Sequence, residues 1–368
     1  FGGFGEEVLT FIQKRSHGIW AIGADALPAI VAWDTGYPGF AGMDLGLTEE
    51  SGDGDNASEE DSGDFYFPDG NASVARLLVR KLIPYVATGN TMEDVVTARF
   101  DYSGLDQPDN LTRIRLNSTV VNLRHQGGEF DADVDVTYVS VNDSRTVTAS
   151  KVVWAGYYSM LPHICPDVPE HQVAALARTV RAPLVYTNVL IRNWQSLAKL
   201  GMRRAYCPGS FFQTVMPTHP VSMGDYRYSQ SPDEPIVLHL QHIPVTPGMT
   251  ASEQFRAGKR ALLAMPFETF ERNLRDQLGR MLGPGGFDPA RDIAGITVNR
   301  WPHGYAYSID TDSGDVAWLP SRWQNERRPW LDARSGIGNI VFAGTDGSSN
   351  AMTESAIEEA HRAVNSLK

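Results

Sequence analysis

The stretch from Asn339 to Leu367 constrains the fold more tightly than any other part of the sequence. Asn339-Ile340-Val341-Phe342-Ala343 is a compact apolar strand, and Gly344-Thr345-Asp346-Gly347-Ser348-Ser349-Asn350 is a small polar turn. From Thr353 to Leu367 the apolar positions Ala356, Ile357, Ala360, Val364 and Leu367 fall on one helical face. Strand, turn and helix in that order make a βα unit, which points to the α/β class. Gly344 lets another group approach the backbone closely. The start of the helix offers free N–H groups and a positive dipole end, which suit a phosphate. Glu354, in the first turn, suits the dipole but would repel a phosphate set directly against it. A plain closing βα unit and a phosphate seat are both open readings of this stretch.

Composition narrows the partners. With 368 residues the chain can bury a large core and suggests two domains. Hydrophobic residues at 42% and charged residues at 21% are an ordinary globular balance. The net charge of −12 would repel nucleic acid and weakly attract a cationic substrate. Two cysteines, Cys165 and Cys207, exclude a disulfide framework and a cysteine-based zinc or iron–sulfur site. No apolar run reaches the ~18–20 residues that span a membrane. A soluble chain is expected, cytoplasmic or periplasmic. The chain opens at Phe1 with Phe-Gly-Gly-Phe-Gly, which reads as the middle of a protein, so an N-terminal truncation is expected.

Along the chain, Glu6 to Lys14 reads as an amphipathic helix with Val8, Leu9, Phe11 and Ile12 apolar. Residues 49–64 hold eight acids and no base and read as a solvated loop; their spacing fails the calcium-loop pattern. Val74, Leu77, Leu78, Leu82, Ile83 and Val86 predict a buried helix capped by Asn71 or Ser73 and ended by Pro84. Strands are predicted at Arg113–Leu116, at Val120–Arg124 before a Gln126–Glu129 turn, and at Val134–Val139. Another follows Asn142-Asp143-Ser144 and runs to Ala155. Pro183–Arg192, Ile236–His242 and Ile296–Arg300 read as further strands. Ser252–Met265 and Phe267–Leu282 read as helices divided by Pro266.

The C-terminal stretch resembles the motif that closes the flavin-containing amine oxidase superfamily: a strand ending in Ala343-Gly344, then Asp346, a Gly347–Ser349 turn and a helix from Thr353. The resemblance implies FAD as cofactor. Gly344, Thr345 and Asp346 would lie near its ribityl–pyrophosphate, and Met352, Thr353 and Ala356 would lie toward the flavin ring. Tyr66 to Asn71 before an apolar helix is similar to the approach to the family's middle FAD segment. Leu116 to Leu123 is similar to the strand whose valine contacts adenine through its backbone, here Val120. Lys151 to Tyr157 is similar to the strand returning to the cofactor domain, with Ala155 and Gly156 near the adenosine. Phe67 to Pro84 and the start of the chain look similar to spermidine dehydrogenases. The family's opening strand–Gly-x-Gly-x-x-Gly–helix unit is missing, because Gly2, Gly3 and Gly5 are wrongly spaced with no strand before them. The chain alone is therefore expected to be inactive. No lysine matches the family's flavin-proximal one.

The aromatic run Arg300-Trp301-Pro302-His303-Gly304-Tyr305-Ala306-Tyr307 follows a strand. Flavin amine oxidation needs a flat, dry slot, and Trp301 with Tyr305 or Tyr307 would supply its walls and hold a remote cation. The same residues read equally well as core aromatics. His303 is a candidate proton acceptor, though it reads more readily as a structural histidine. His239 and His242, three apart on a strand, should face opposite ways and make poor joint metal ligands, and no metal site is expected. Asn-x-Ser/Thr triplets at Asn56, Asn71, Asn110, Asn117 and Asn142 read as chance.

The expected architecture is α/β with two domains: an incomplete Rossmann-like FAD domain from residues 62–160 and 330–368, and a mixed-sheet substrate domain from 1–61 and 161–329. The expected function is FAD-dependent oxidation of an amine by hydride transfer, with spermidine as the polyamine example. The electron acceptor is left open, since no Cys-x-x-Cys-His haem motif is present. Alternatives are a desaturase or porphyrinogen-oxidase-type flavoenzyme, or a non-catalytic fragment that has lost FAD.

Overall fold

Among the described residues, backbone pairing sorts the strands into three sheets. The computed structural model describes residues 5–40, 42–45, 65–141, 143–324 and 327–367, so the acidic run 49–64 and Asn142 lie outside the described residues. β1 (Thr119–His125), β2 (Val134–Ser140) and β3 (Asp143–Ala149) form an antiparallel meander, with Val134 and Tyr138 buried and Val139 exposed. β4 (Val152–Trp154) belongs to a different sheet. The single strand expected to run to Ala155 is thus two strands. The physical reason is that β4 gives its backbone to a parallel partner: the Val152 N–H donates to the Asn339 carbonyl at 2.9 Å, and the Ala343 N–H donates to the Trp154 carbonyl at 2.8 Å. The strand expected at Arg113–Leu116 is not one. Arg113 and Arg115 both pair with Asp106, at 2.6 and 2.8 Å, and Asn117 has φ 52°, so the segment is folded back on itself.

β5 (Arg181–Ile191), β6 (Ala205–Tyr206), β7 (Thr214–Pro217), β8 (Ile236–His242) and β9 (Ile293–Ala306) make an antiparallel sheet in the order β6-β7-β8-β5-β9. β10 (Ile340–Phe342) pairs in parallel with β4, Ile340 opposite Val152 and Phe342 opposite Trp154. Helices Ala251–Ala264 and Phe267–Leu282 cover one face of the five-stranded sheet. There Val185, Val189, Leu238 and Leu240 pack on Leu262, Phe270, Leu274 and Leu278. A Thr250–Glu253 capping box starts the first of these helices, and Pro266 sits at the N-cap of the second. β8 puts His242 on the covered face, stacked on Phe211, and His239 on the other, bonded to Asn188 at 2.9 Å. A second core joins Leu123 and Val134 to Tyr158, Leu161, Leu176, Ile340 and Phe342. A third joins Ala21, Ile22 and Val31 to Ala182, Leu184, Phe255 and Tyr307.

Three further expectations need correction. β9 begins earlier and ends later than Ile296–Arg300, so Trp301 to Ala306 lie within the strand rather than after it. The helix Ala72–Leu82 is not buried: Leu78 is 59% and Leu82 56% exposed, while Arg80 is buried. Arg80 is drawn inward by Asp94 at 2.5 Å and by the carbonyls of Thr88 and Thr91. The C-terminal helix Thr353–Asn365 likewise does not bury the expected face. Ser355, Glu359 and Ala363 point inward, and Ile357 and Val364 are each 52% exposed. Arg334 and Arg362 hold the Glu359 carboxylate at 2.9 and 2.7 Å, and this ion cluster sets the rotation of the helix.

Candidate cofactor and substrate site

Parallel strands place their carboxyl ends together, and crevices outside those ends are where α/β sheets bind ligands. β4 leads into Ala155 and Gly156, and β10 leads through Ala343 into the Gly344–Asp346 turn. The two cofactor segments expected from the sequence therefore meet. Gly344 has φ 105°, and a Cβ built there would meet only the Ala155 carbonyl, at 3.9 Å, so the space in front of this glycine is open. Asp346 is 3% exposed; its Oδ2 accepts the Tyr158 N–H at 2.9 Å. Its Oδ1 lies 2.9 Å from Arg181 Nε, but neither atom has an aligned hydrogen bond. An open glycine beside a buried carboxylate oxygen that lacks an aligned donor fits a ligand with hydroxyl or N–H groups. Gly156 has a different reason to be glycine: a Cβ would strike the Trp154 indole at 2.5 Å.

Arg181, the first residue of β5, gathers the site. Its guanidinium donates to the Gly304 carbonyl at 2.9 Å and to Thr345 Oγ1 at 3.1 Å, and lies 4.6 Å from the centre of the Tyr157 ring. β9 bulges here, with Trp301 opposite Leu184 and Tyr305 opposite Ala182. Gly304 is pressed so close to β5 that a Cβ would meet Leu184 Cδ2 at 2.6 Å. The bulge brings the His303 ring to 5.2 Å from Tyr157. Ser349 Oγ donates to the Tyr307 carbonyl at 2.8 Å, a second tie between the C-terminal turn and the segment after β9.

Trp301 and Tyr305 share the sheet face that the helices leave uncovered. Trp301 is 48% exposed. Tyr305 meets the Tyr186 hydroxyl, and Tyr186 packs edge-on to His239 at 4.9 Å. Tyr307 does not join them. It is buried against Phe255, ring centres 4.9 Å apart, in the third core. Val120 packs against the second core, as Val152 and Trp154 each do. Thr353, at the helix start, accepts a hydrogen bond from Asn71 Nδ2 at 3.0 Å, and Met352 is exposed. Ala356 is half-buried on the next turn.

Charge at the junction follows from burial. Burial pushes the Asp346 carboxyl up, against the downward pull of Arg181, the Tyr158 N–H and Lys259. Burial also lowers Lys259, helped by Arg181 and opposed by Asp346. His303 is lowered by burial, then by Lys259 and Arg181, which favours its neutral imidazole. Arg181, Lys259, Tyr157 and Tyr186 were not legible as site residues. Arg181, Lys259 and Tyr186 lie on elements whose periodicity is read without them, Tyr157 lies in the connection after β4, and only the folded chain brings them together.

Among the described residues no cluster of three or more His, Cys, Asp or Glu could hold a metal ion, and no helix is long and apolar enough to cross a membrane.

No protein-family model matches this chain, and no curated protein matches it. Among solved structures, it is similar to wild-type putrescine oxidase bound to putrescine, at 16% identity and TM-score 0.46 over 71% of this chain and 49% of that one. It is also similar to a double mutant of putrescine oxidase from a redesign of cofactor binding, at 15% identity and TM-score 0.47 with the same coverage. Cyclohexylamine oxidase from Brevibacterium oxydans IH-35A matches at 15% identity and TM-score 0.40 over 67% of this chain and 47% of that one. The chain thus spans about half the length of these structures.

Proposed function

We propose that this chain carries part of an FAD-dependent enzyme that oxidises an amine, with residues 62–160 and 330–368 serving the cofactor and the five-stranded sheet serving the substrate. One observation carries the reading: Arg181 ties the Gly344–Asp346 turn to the bulged strand bearing Trp301, His303 and Tyr305. Gly344, Thr345 and Asp346, with Ala155 and Gly156 across the crevice, would hold FAD. Val120, Met352, Thr353 and Ala356 extend that surface. When bound, FAD supplies an acceptor for the hydride lost from the carbon beside the amine nitrogen.

The remaining work falls to the protein. Trp301 and Tyr305 form a wall that orients the amine and keeps water from it, and the exposed Trp301 face can hold a remote ammonium. Arg181 and Lys259 disfavour a further cation beside His303, so an amine delivered there gives up its proton to water on entry, and the neutral His303 imidazole can hydrogen-bond the uncharged amine. A second amine on the substrate would sit toward Trp301, which favours polyamines such as spermidine over monoamines. The experiment is to supply FAD to the complete enzyme that contains this chain, measure retained flavin, and mix it anaerobically with spermidine, putrescine and a simple monoamine. Flavin reduction by the polyamines supports the reading. Bound flavin that no amine reduces favours a desaturase-type or porphyrinogen-oxidase-type reaction, and no flavin retention favours a non-catalytic module.

A further inference from the structure

A cavity of about 270 Å³ lies away from the Arg181 junction, between the N-terminal helix Glu6–Gln13 with the turn after it and the end of β8. Its walls include Lys14, His17, Phe211, His242, Ile243 and Val245. His17 is 4% exposed, and neither ring nitrogen has a hydrogen-bond partner among the described residues. A buried imidazole without a partner is costly unless something else supplies one. Lys14 Nζ donates one long bond, 3.3 Å, to the Ser210 carbonyl. An ammonium has three hydrogens, so it retains donor capacity.

We propose that this cavity binds a small organic monocarboxylate. Charge sets the class. Among the described residues no carboxylate lines the cavity, whereas the Lys14 ammonium does. The nearby acid, Asp25, is occupied: its Oδ2 accepts the Gly248 N–H at 2.6 Å and Gln254 Nε2 at 3.3 Å, and its Oδ1 accepts Gln13 Nε2. His242 is a wall and not a donor into the cavity through Nδ1, because that nitrogen lies 2.7 Å from the Phe211 carbonyl and must carry the proton toward it. Donors available to a ligand include the Lys14 ammonium and one N–H of His17, which suit the two oxygens of a carboxylate. Phe211, Ile243 and Val245 suit a short apolar tail, and the volume suits a chain of a few carbons. A metal ion fits poorly beside the Lys14 cation.

The probe is sodium butyrate, titrated calorimetrically into the protein at pH 7 with chloride matched, with butyramide as the neutral isostere and inorganic phosphate as the tailless anion. Saturable binding of one butyrate per chain is expected, with butyramide and phosphate at least tenfold weaker. Lys14→Met, on a half-exposed side chain that should not disturb folding, is expected to weaken butyrate at least tenfold. In histidine-labelled protein, butyrate should move the ring nitrogen resonances of His17, a readout that needs no substitution at the buried site. Absence of saturable binding, equal binding of butyramide, phosphate as tight as butyrate, unchanged affinity in Lys14→Met, or unmoved His17 signals would each overturn the proposal.

Discussion

Arg181 Nε and Asp346 Oδ1 lie 2.9 Å apart, so the first residue of the five-stranded sheet is tied to the turn that follows the parallel strand pair. Both side chains are largely buried. Removing one partner of a buried pair strands the other charge, which costs about 3–5 kcal/mol. Arg181→Met should therefore be destabilised by about that amount in urea unfolding. Asp346→Asn, whose side-chain oxygen can still accept the Tyr158 N–H, should lose less. The double variant should be more stable than the sum of the two losses predicts. Strict additivity would show that the two residues do not act together.

Gly344 tests the cofactor crevice. Its φ of 105° with ψ of 167° is a region that only glycine adopts readily. Gly344→Ala should lose about 1–3 kcal/mol of stability from backbone strain. Gly344→Val should in addition project into the open space before the turn and lower retained flavin well below wild type. Full flavin retention with unchanged absorption in Gly344→Val would remove this turn from the cofactor site.

Trp301 tests the substrate wall. In the complete enzyme that contains this chain, Trp301→Ala should lower amine turnover by more than tenfold, a loss of over about 1.4 kcal/mol of transition-state stabilisation. Flavin content should stay near wild type, because the indole is on the sheet face and not in the Gly344 turn. Tyr305→Phe, which breaks the contact with the Tyr186 hydroxyl, should have a smaller effect. Turnover unchanged in Trp301→Ala would return the cluster to a packing role.

The histidines set an acid limit. Burial, with help from Lys14 and His242, lowers His17 to about 3, and burial lowers His242 to about 4, from the ordinary value of 6.5. For a group whose folded pKa is depressed, the unfolded chain binds more protons between the two values. Stability is therefore full above pH 6.5 and falls as pH drops toward 4 and then 3. His17→Gln should flatten the profile of melting temperature against pH in that window. A profile as steep as wild type would show that other groups govern acid unfolding.

Much of the fold was legible because its periodicities are local. β8 at Ile236–His242 and the helix Phe267–Leu282 match their sequence patterns residue for residue, and Pro266 marks the boundary the structure uses. The opposed faces of His239 and His242 follow from strand geometry alone. Helix orientation was less legible. Periodicity finds the apolar stripe of Thr353–Asn365, but the buried Glu359 cluster with Arg334 and Arg362 decides which stripe turns inward. Arg80 and Asp94 do the same for Ala72–Leu82. The pairing of β4 with β10 joins residues far apart in the chain, so sequence pattern could suggest it only through the resemblance. Arg181 has no local signal, because its partners Gly304, Thr345 and Asp346 lie on other elements.

The most direct test of the account is anaerobic mixing of the FAD-loaded complete enzyme that contains this chain with spermidine while the flavin absorption is followed. The account predicts saturable loss of the oxidised flavin spectrum, faster with spermidine than with a monoamine and more than tenfold slower in Trp301→Ala. A stable oxidised spectrum in wild-type protein, with flavin bound and spermidine in excess, would contradict it.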